Sequence, residues 1–282
     1  MKRNNEFVSL IERKVRQTIK KNQLIYKRQK IGVGVSGGKD SMSTLYILKE
    51  LGYNMDAFII DHGIGEYAKL NLENTKKLCK RLGVVLNIVS IEKIFGKSIT
   101  DIKKELDKKG FEYSYCMICG ILKRYLINKT AQEHKLDVFV TGHNLDDEAQ
   151  AFVMNVFRND FKLAVRQGPK PGIIDSNKFI TRVKPMFFVA EEDIKRYALI
   201  KKLPVNYESC PHSKSSYRNN FKEMLNEFEK RNPSVKYNVL HFQQKMKSMV
   251  NIEKIPEISS CIECGEPSSR ETCKACELIK KI

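Results

Sequence analysis

A glycine-rich string, an acidic string and two groups of cysteines hold the residues with which this chain could do chemistry. The first string, Ser36-Gly37-Gly38-Lys39-Asp40-Ser41, stands where an apolar run (31–35) gives way to a helical pattern starting near Asp40. Two glycines let the backbone turn with no Cβ in the way, so successive N–H groups can face phosphate oxygens. The helix that follows adds its positive end, Ser36 and Ser41 offer hydroxyls, and Lys39 adds a point charge. The chemistry is anion binding, but the G-x-x-x-x-G-K-[ST] spacing is absent. A glycine-rich turn without a ligand is the bland alternative. The acidic string, Gly142-His143-Asn144-Leu145-Asp146-Asp147-Glu148, follows a second apolar run (137–141). Its carboxylates can stabilise a helix start, each by about 0.3–1 kcal/mol, or bind Mg²⁺ together with phosphate oxygens. Asp61 and His62 end another run at the same edge, a place where polar pairs are common.

Six of the eight cysteines lie in C-x-x-C pairs. Cys116 and Cys119 open a helical stretch, and Cys210 stands alone far downstream. A C-x-x-C at a helix start lowers thiol pKa and suits redox chemistry, although no strand precedes it as in a thioredoxin-like site. Three thiolates could instead hold a [4Fe–4S] cluster with one iron left open. Lys123 shares the helix face of Cys119 at i, i+4, where a solvated lysine is the ordinary reading. Cys261, Cys264, Cys273 and Cys276 have the spacing C-x2-C-x8-C-x2-C, which places four thiolates around one Zn²⁺. A second redox or iron site is the alternative. So short a segment would draw its folding free energy, on the order of 10 kcal/mol, from the metal. Cys79 shares a helical stripe with Leu72, Thr75 and Leu82 and reads as core.

The elements that must position these groups alternate. Apolar runs at 31–35, 56–60, 84–89, 137–141 and 179–187 are separated by helical patterns near 40–51, 67–82, 117–134, 145–158 and 190–202. Strands apolar nearly throughout, alternating with helices, predict an α/β fold with a parallel sheet covered on both faces, and ligands of such sheets bind beyond the carboxyl ends of the strands. The expected organisation is a basic amphipathic helix (1–29), the α/β domain (30–215), two C-terminal helices within 216–257 and a zinc-binding segment (258–282). The Gly/Pro-containing stretch 160–176 reads as a surface loop. With 51 Lys and Arg against 33 Asp and Glu, the net charge of +18 points to an anionic macromolecule, nucleic acid foremost. A solvated basic surface is the other reading. No apolar leader or membrane-length window is present, so a soluble cytoplasmic protein without a membrane partner is expected. The basic ends could support a homodimer.

The S-G-G-x-D-S string resembles the PP-loop of ATP pyrophosphatases, Rossmann-like enzymes that split ATP to adenylate a substrate. G-H-x-x-D-D-E resembles the second signature of PP-loop RNA-modifying enzymes. Together with C-x-x-C and a remote cysteine in the same order, the chain resembles the TtcA/TtuA family of transfer-RNA thiolases over about residues 30–220. That resemblance implies an ATP site at Ser36, Gly37, Gly38, Lys39, Asp40, Ser41, Asp61, His62, Gly142 and His143. It implies catalytic Lys123 and Asp147, and a [4Fe–4S] cluster on Cys116, Cys119 and Cys210 whose open iron binds sulfur. The terminal zinc segment resembles the TtuA-like branch, which includes wobble-uridine thiolases. The sequence departs from that branch in having no cysteine before Cys79, where many members carry an amino-terminal zinc finger. The implied function is ATP- and Mg²⁺-dependent 2-thiolation of a transfer-RNA uridine, with sulfide or a thiocarboxylated carrier protein as donor. A lysidine-type ligase, a persulfide relay and a non-catalytic zinc and RNA-binding protein are the alternatives.

Overall fold

The computed structural model describes residues 2–171, 179–213, 217–250, 259–268 and 270–282. In chain order these form α1 (Lys2–Lys21), β1 (Ile31–Val35), α2 (Lys39–Glu50), β2 (Met55–Asp61), α3 (Gly65–Leu82) and β3 (Leu86–Ser90). There follow α4 (Ile91–Phe95), α5 (Ile99–Lys108), α6 (Tyr115–Glu133), β4 (Val138–Val140), α7 (Leu145–Phe157), α8 (Phe161–Arg166), β5 (Thr181–Val183) and α9 (Glu191–Ile200). A 3-10 turn (Pro211–Ser213) leads to α10 (Tyr217–Arg231), α11 (Val235–Met249), β6 (Ser259–Ser260), β7 (Pro267–Ser268) and α12 (Lys274–Ile279).

The five long-range strands are parallel in the order β3-β2-β1-β4-β5. Side chains alternate across the sheet, and two cores follow. Val33, Val35, Ala57, Ile59, Val138 and Val140 join a cluster with α2 and α9, whereas Phe58 and Phe139 pack with Ala131 of α6. Helices therefore cover both faces. The basic helix α1 belongs to the first core: Val8, Ile11, Val15 and Ile19 form its buried stripe, and the Tyr197 hydroxyl donates to Glu12 at 2.8 Å. Burying each such aliphatic side chain contributes roughly 1.5–3 kcal/mol, so α1 is fastened to the domain.

Two local expectations are corrected, and one stretch without an expectation forms helices. The run 179–187 yields only Thr181–Val183 as strand, because Pro185 lacks an N–H for the ladder and pulls Lys184 out of it. Helices α4 and α5 interrupt a stretch without assigned structure. Ser90 and Ser98 accept N-cap hydrogen bonds from Lys93 and Asp101, the local signal that was present in the residues. Within the expected loop 160–176, Asp160 caps the short α8 by accepting from the Leu163 N–H at 3.0 Å; residues 172–178 lie outside the described part.

Helices α7, α10 and α11 meet at Leu145, Ala149, Leu225 and Leu240. Among them Lys236 is almost fully buried, and its ammonium reaches Asp146, Asn226 (2.7 Å) and Glu229 (2.6 Å). Asp146 in turn accepts from the Glu191 N–H at 2.8 Å. Removing one member of a buried pair leaves the other charge uncompensated, at about 3–5 kcal/mol. Lys236→Ala should therefore lose about 3 kcal/mol or more in chemical denaturation, while an exposed control such as Lys230→Ala stays within about 0.5 kcal/mol.

Candidate active site

The strand order reverses direction between β1 and β4, which creates a crevice at their carboxyl ends. The Ser36–Ser41 loop leaves β1 and the Gly142–Glu148 string leaves β4, so the two motifs face each other there. Gly37 has φ +75°, and a Cβ on it would stand 2.6 Å from the Cα of Asn71 on α3. A Cβ on Gly142 would stand 2.7 Å from the backbone N and Cα of Ser41. Backbone thus packs on backbone. The Ser36 N–H donates to Ser41 Oγ at 3.0 Å, the two hydroxyls are 3.1 Å apart, and the Asn206 N–H donates to the Gly37 carbonyl at 2.9 Å. These bonds hold the loop in shape at the N-terminal end of α2.

The acidic string divides by role. Asp146 and Glu148 are buried in ion pairs with Lys236 and with Lys184, the latter at 2.7 Å, and they serve the packing of α7. Asp147 completes a capping box with Asn144 and lines a cavity of about 360 Å³, with Arg218 3.6 Å from its carboxylate. Asn144 donates to Asp40 Oδ1 at 3.0 Å, tying the two motifs together. Burial raises the pKa of both Asp40 and Asp147, and the charge of Asp147 raises Asp40 further. Two oxygen-donor carboxylates that repel one another beside a phosphate loop fit a divalent cation such as Mg²⁺.

Lys39 lies between Asp40 (3.0 Å) and Glu191 (2.8 Å). Burial alone would lower its pKa, but the two carboxylates outweigh it and raise it. Glu191 also bridges to Lys222 at 2.8 Å; burial opposes its ionisation, yet the two lysines pull its pKa down to about 2. In this arrangement Lys39 is stored on protein carboxylates, within the cradle where anionic phosphates would compete for it.

The cavity extends from Ser36, Asp40 and Ser41 to Asp61 and His62 after β2, Lys123 on α6, and His143. Asp61 accepts from the Gly63 N–H at 3.0 Å, and His62 Nδ1 accepts from the Ile64 N–H at 3.3 Å. Burial, with Lys123 and His212 nearby, lowers the His62 pKa to about 4. His143 opens to the cavity but is surrounded by protein; loss of bulk water and the charge of Lys184 lower it to about 4. Both imidazoles are neutral at pH 7. Lys123 has no ion-pair partner among the described residues.

Cys116 and Cys119 lie on the first turns of α6, capped by Ser114. The 3-10 turn after Cys210 packs on them: Cys116 Sγ faces the His212 carbonyl at 3.6 Å, and the His212 ring stacks on Tyr115 at 3.8 Å. Burial raises the Cys116 pKa, and the neighbouring Cys210 and Cys119 add to it. Three solvent-accessible thiols beside a cavity lysine fit a cluster with one open iron. They are less tightly drawn together than the thiols of Cys261, Cys264, Cys273 and Cys276. Those four lie within 4.8 Å of one another, the one such convergent set among the described residues. Burial opposes ionisation of Cys261, but N–H groups of Cys273, Cys264 and Glu263 pull its pKa down to about 6. The donor set suits Zn²⁺. The tail is no appended module: Ala275 and Leu278 share a core with Ile118, Leu122 and Leu126 of α6.

Arg218, Asn71 and Glu191 belong to the site but lie outside the sequence motifs, and Asn144, though inside the acidic string, carried no assigned role. Asn144 alone had a local signal, as an N-cap residue inside the acidic string; the other three arrive through tertiary packing.

A family model described as a PP-loop domain matches residues 8–228. The chain is 38% identical over 272 residues to a tRNA-5-methyluridine(54) 2-sulfurtransferase of Pyrococcus horikoshii, covering 96% of this chain and 85% of that one. It is 35% identical to the protein of the same name from Thermotoga maritima, with 99% and 88% covered. Its fold superposes on the U34-tRNA thiolase NcsA from Methanococcus maripaludis, solved with its [4Fe-4S] cluster, with a TM-score of 0.83 at 28% identity over 99% of this chain and 89% of that one. With a PP-loop domain over most of its length and sulfurtransferases of transfer RNA among its relatives, this chain belongs to the PP-loop family of tRNA 2-thiolation proteins.

Proposed function

We propose that this chain uses ATP to replace the C2 oxygen of a transfer-RNA uridine with sulfur. The observation that carries the reading is one cavity that joins a glycine-rich loop, a carboxylate pair and a lysine with no ion-pair partner among the described residues, with Cys116 and Cys119 at the start of the helix bearing that lysine and Cys210 beside them. The relatives act at different positions of transfer RNA, and the chemistry common to them is the C2 carbon of a uracil ring.

The Ser36–Ser41 loop binds the ATP pyrophosphate through its N–H groups, with Lys39 shifting from Glu191 and Asp40 to the phosphates. Asp40 and Asp147 would hold Mg²⁺, which neutralises phosphate charge. The C2 oxygen attacks the α-phosphorus, pyrophosphate leaves, and the N3–H proton is lost. Lys123, on the cavity wall and without an ion-pair partner among the described residues, would face the developing negative charge on the base. Hydrosulfide then bonds to C2, the C2–O bond breaks and AMP leaves; the S–H proton is returned as N3–H. Cys116, Cys119 and Cys210 would hold a [4Fe–4S] cluster, whose open iron would bind the incoming sulfur. The sulfur comes from free sulfide or from a carrier protein's thiocarboxylate, whose C–S bond breaks as water adds to the acyl carbon and leaves a carboxylate.

Purified without oxygen and given ATP, sulfide and unmodified transfer RNA, the protein should form a 2-thionucleoside detectable by mass spectrometry. Cys210→Ala should lose more than about 100-fold of that rate and still bind ATP; normal thiolation by this variant would overturn the cluster assignment. The tail cysteines would hold Zn²⁺. Because α12 packs on α6, stripping that metal should do more than release the tail. One equivalent of zinc per chain is expected, and its chelation should lower the melting temperature and open α6 to hydrogen exchange near Ile118 and Leu122. Unchanged protection of α6 after complete zinc loss would show that the tail folds without it.

A further inference from the structure

The cations around the cavity are mostly neutralised by their neighbours. Lys39 is held by Asp40 and Glu191, Lys184 by Glu148, and Arg218 faces Asp147. Besides Lys123, Arg124 and Arg182 are the exceptions: among the described residues neither has a carboxylate partner. They are also placed together. Arg182 sits at the middle of β5, paired in register with Phe139 of β4, and projects on the face that α6 covers. Its Nη2 donates to the Arg124 carbonyl at 3.4 Å. The Arg124 guanidinium folds back over Gly120, where a Cβ would meet Nη1 at 3.4 Å, an ordinary contact.

Two like charges kept side by side without a counterion are unfavourable. Loss of surrounding water lowers the pKa of both, and Arg124 lowers Arg182 further. Their position identifies what the pair awaits. Arg124 directly follows Lys123, is near enough to Cys119 to feel its charge, and Arg182 is near enough to His143 to lower its pKa. The pair thus flanks the reacting end of the cavity, and the ATP phosphates have their own cradle beyond β1. An anion at this place belongs to the second substrate. Planar guanidinium forks match the two non-bridging oxygens of a phosphodiester, and a chain of net charge +18 attracts a polyanion.

We propose that Arg124 and Arg182 clamp a backbone phosphate of the RNA next to the nucleotide whose base enters the cavity. The proposal rests on the transfer-RNA reading above. The clamp positions the target base relative to Lys123 and takes no part in bond making.

The test is the salt dependence of binding to bulk transfer RNA, measured for wild type, Arg124→Gln/Arg182→Gln and Arg124→Lys/Arg182→Lys. For every phosphate that the protein no longer neutralises, the slope of log Kd against log salt should fall by about 1. The glutamine pair should therefore show a slope smaller by about 1 and an affinity roughly tenfold weaker at low salt. Melting temperature and ATP binding should match wild type. The lysine pair should recover the slope, because charge is kept, yet show a raised KM for transfer RNA in thiolation, because the forks are gone. If wild type binds and thiolates transfer RNA and the glutamine pair has the same slope and affinity, the clamp is wrong and the proposed function stands. Loss of thiolation only when sulfur comes from a protein thiocarboxylate, with RNA binding unchanged, would assign the arginines to a protein carboxylate instead. Wild type that binds no transfer RNA would overturn the clamp and the proposed function together.

Discussion

The contact between Gly142 and the backbone of Ser41 is the constraint on which the rest of the site depends. Parallel pairing of β1 with β4 sets two loops side by side at the strand ends, but adjacency alone does not make a site. The absence of a Cβ on Gly142 lets the second loop settle on the first turn of α2. Once it is there, Asn144 reaches Asp40, and Asp147 shares its cavity and its electrostatic field. A side chain at 142 would separate the phosphate cradle from the carboxylate that completes it.

Around this contact the molecule stores charge. Lys39 is balanced on two carboxylates, and Glu191 is balanced on two lysines. Such a network keeps a basic residue ordered in an anion site before the anion arrives, so less ordering entropy remains to be lost on binding. The carboxylates released by Lys39 then stand beside the incoming phosphate, where a divalent cation can balance them. The same helix, α7, is fixed from behind by the buried Lys236–Asp146 pair. The packing of the C-terminal helices and the geometry of the catalytic edge are therefore coupled through adjacent residues of one short string.

The cysteine-bearing helix obeys a similar logic. Helix α6 presents Cys116, Cys119, Lys123 and Arg124 along one stretch, and its buried stripe of Ile118, Leu122 and Leu126 receives the four-cysteine tail. The tail supports that helix on its back, so the four-cysteine segment and the helix bearing Cys116, Cys119 and Lys123 are joined through one core.

Much of this was legible in the residues. Ser36–Ser41, the acidic string, the Cys116/Cys119 pair and the tail all announce themselves, because phosphate loops, helix starts and metal knuckles are local devices whose chemistry depends on spacing along the chain; Cys210 joins that pair only through the family resemblance. The alternation of apolar runs and helices likewise implied a parallel sheet. What the tertiary structure alone decided is which of the neighbouring charges act in the site. Asp146, Asp147 and Glu148 are equivalent as letters, yet only Asp147 faces the cavity, since the helix turns its neighbours towards lysines 236 and 184. Arg124 and Arg182 are 58 positions apart, and nothing in either local sequence marks them; they form a pair because β5 runs beside β4 under α6. Spacing along a chain reports what a segment can bind, whereas the partner that neutralises a charge, or leaves it free, is set by packing between segments.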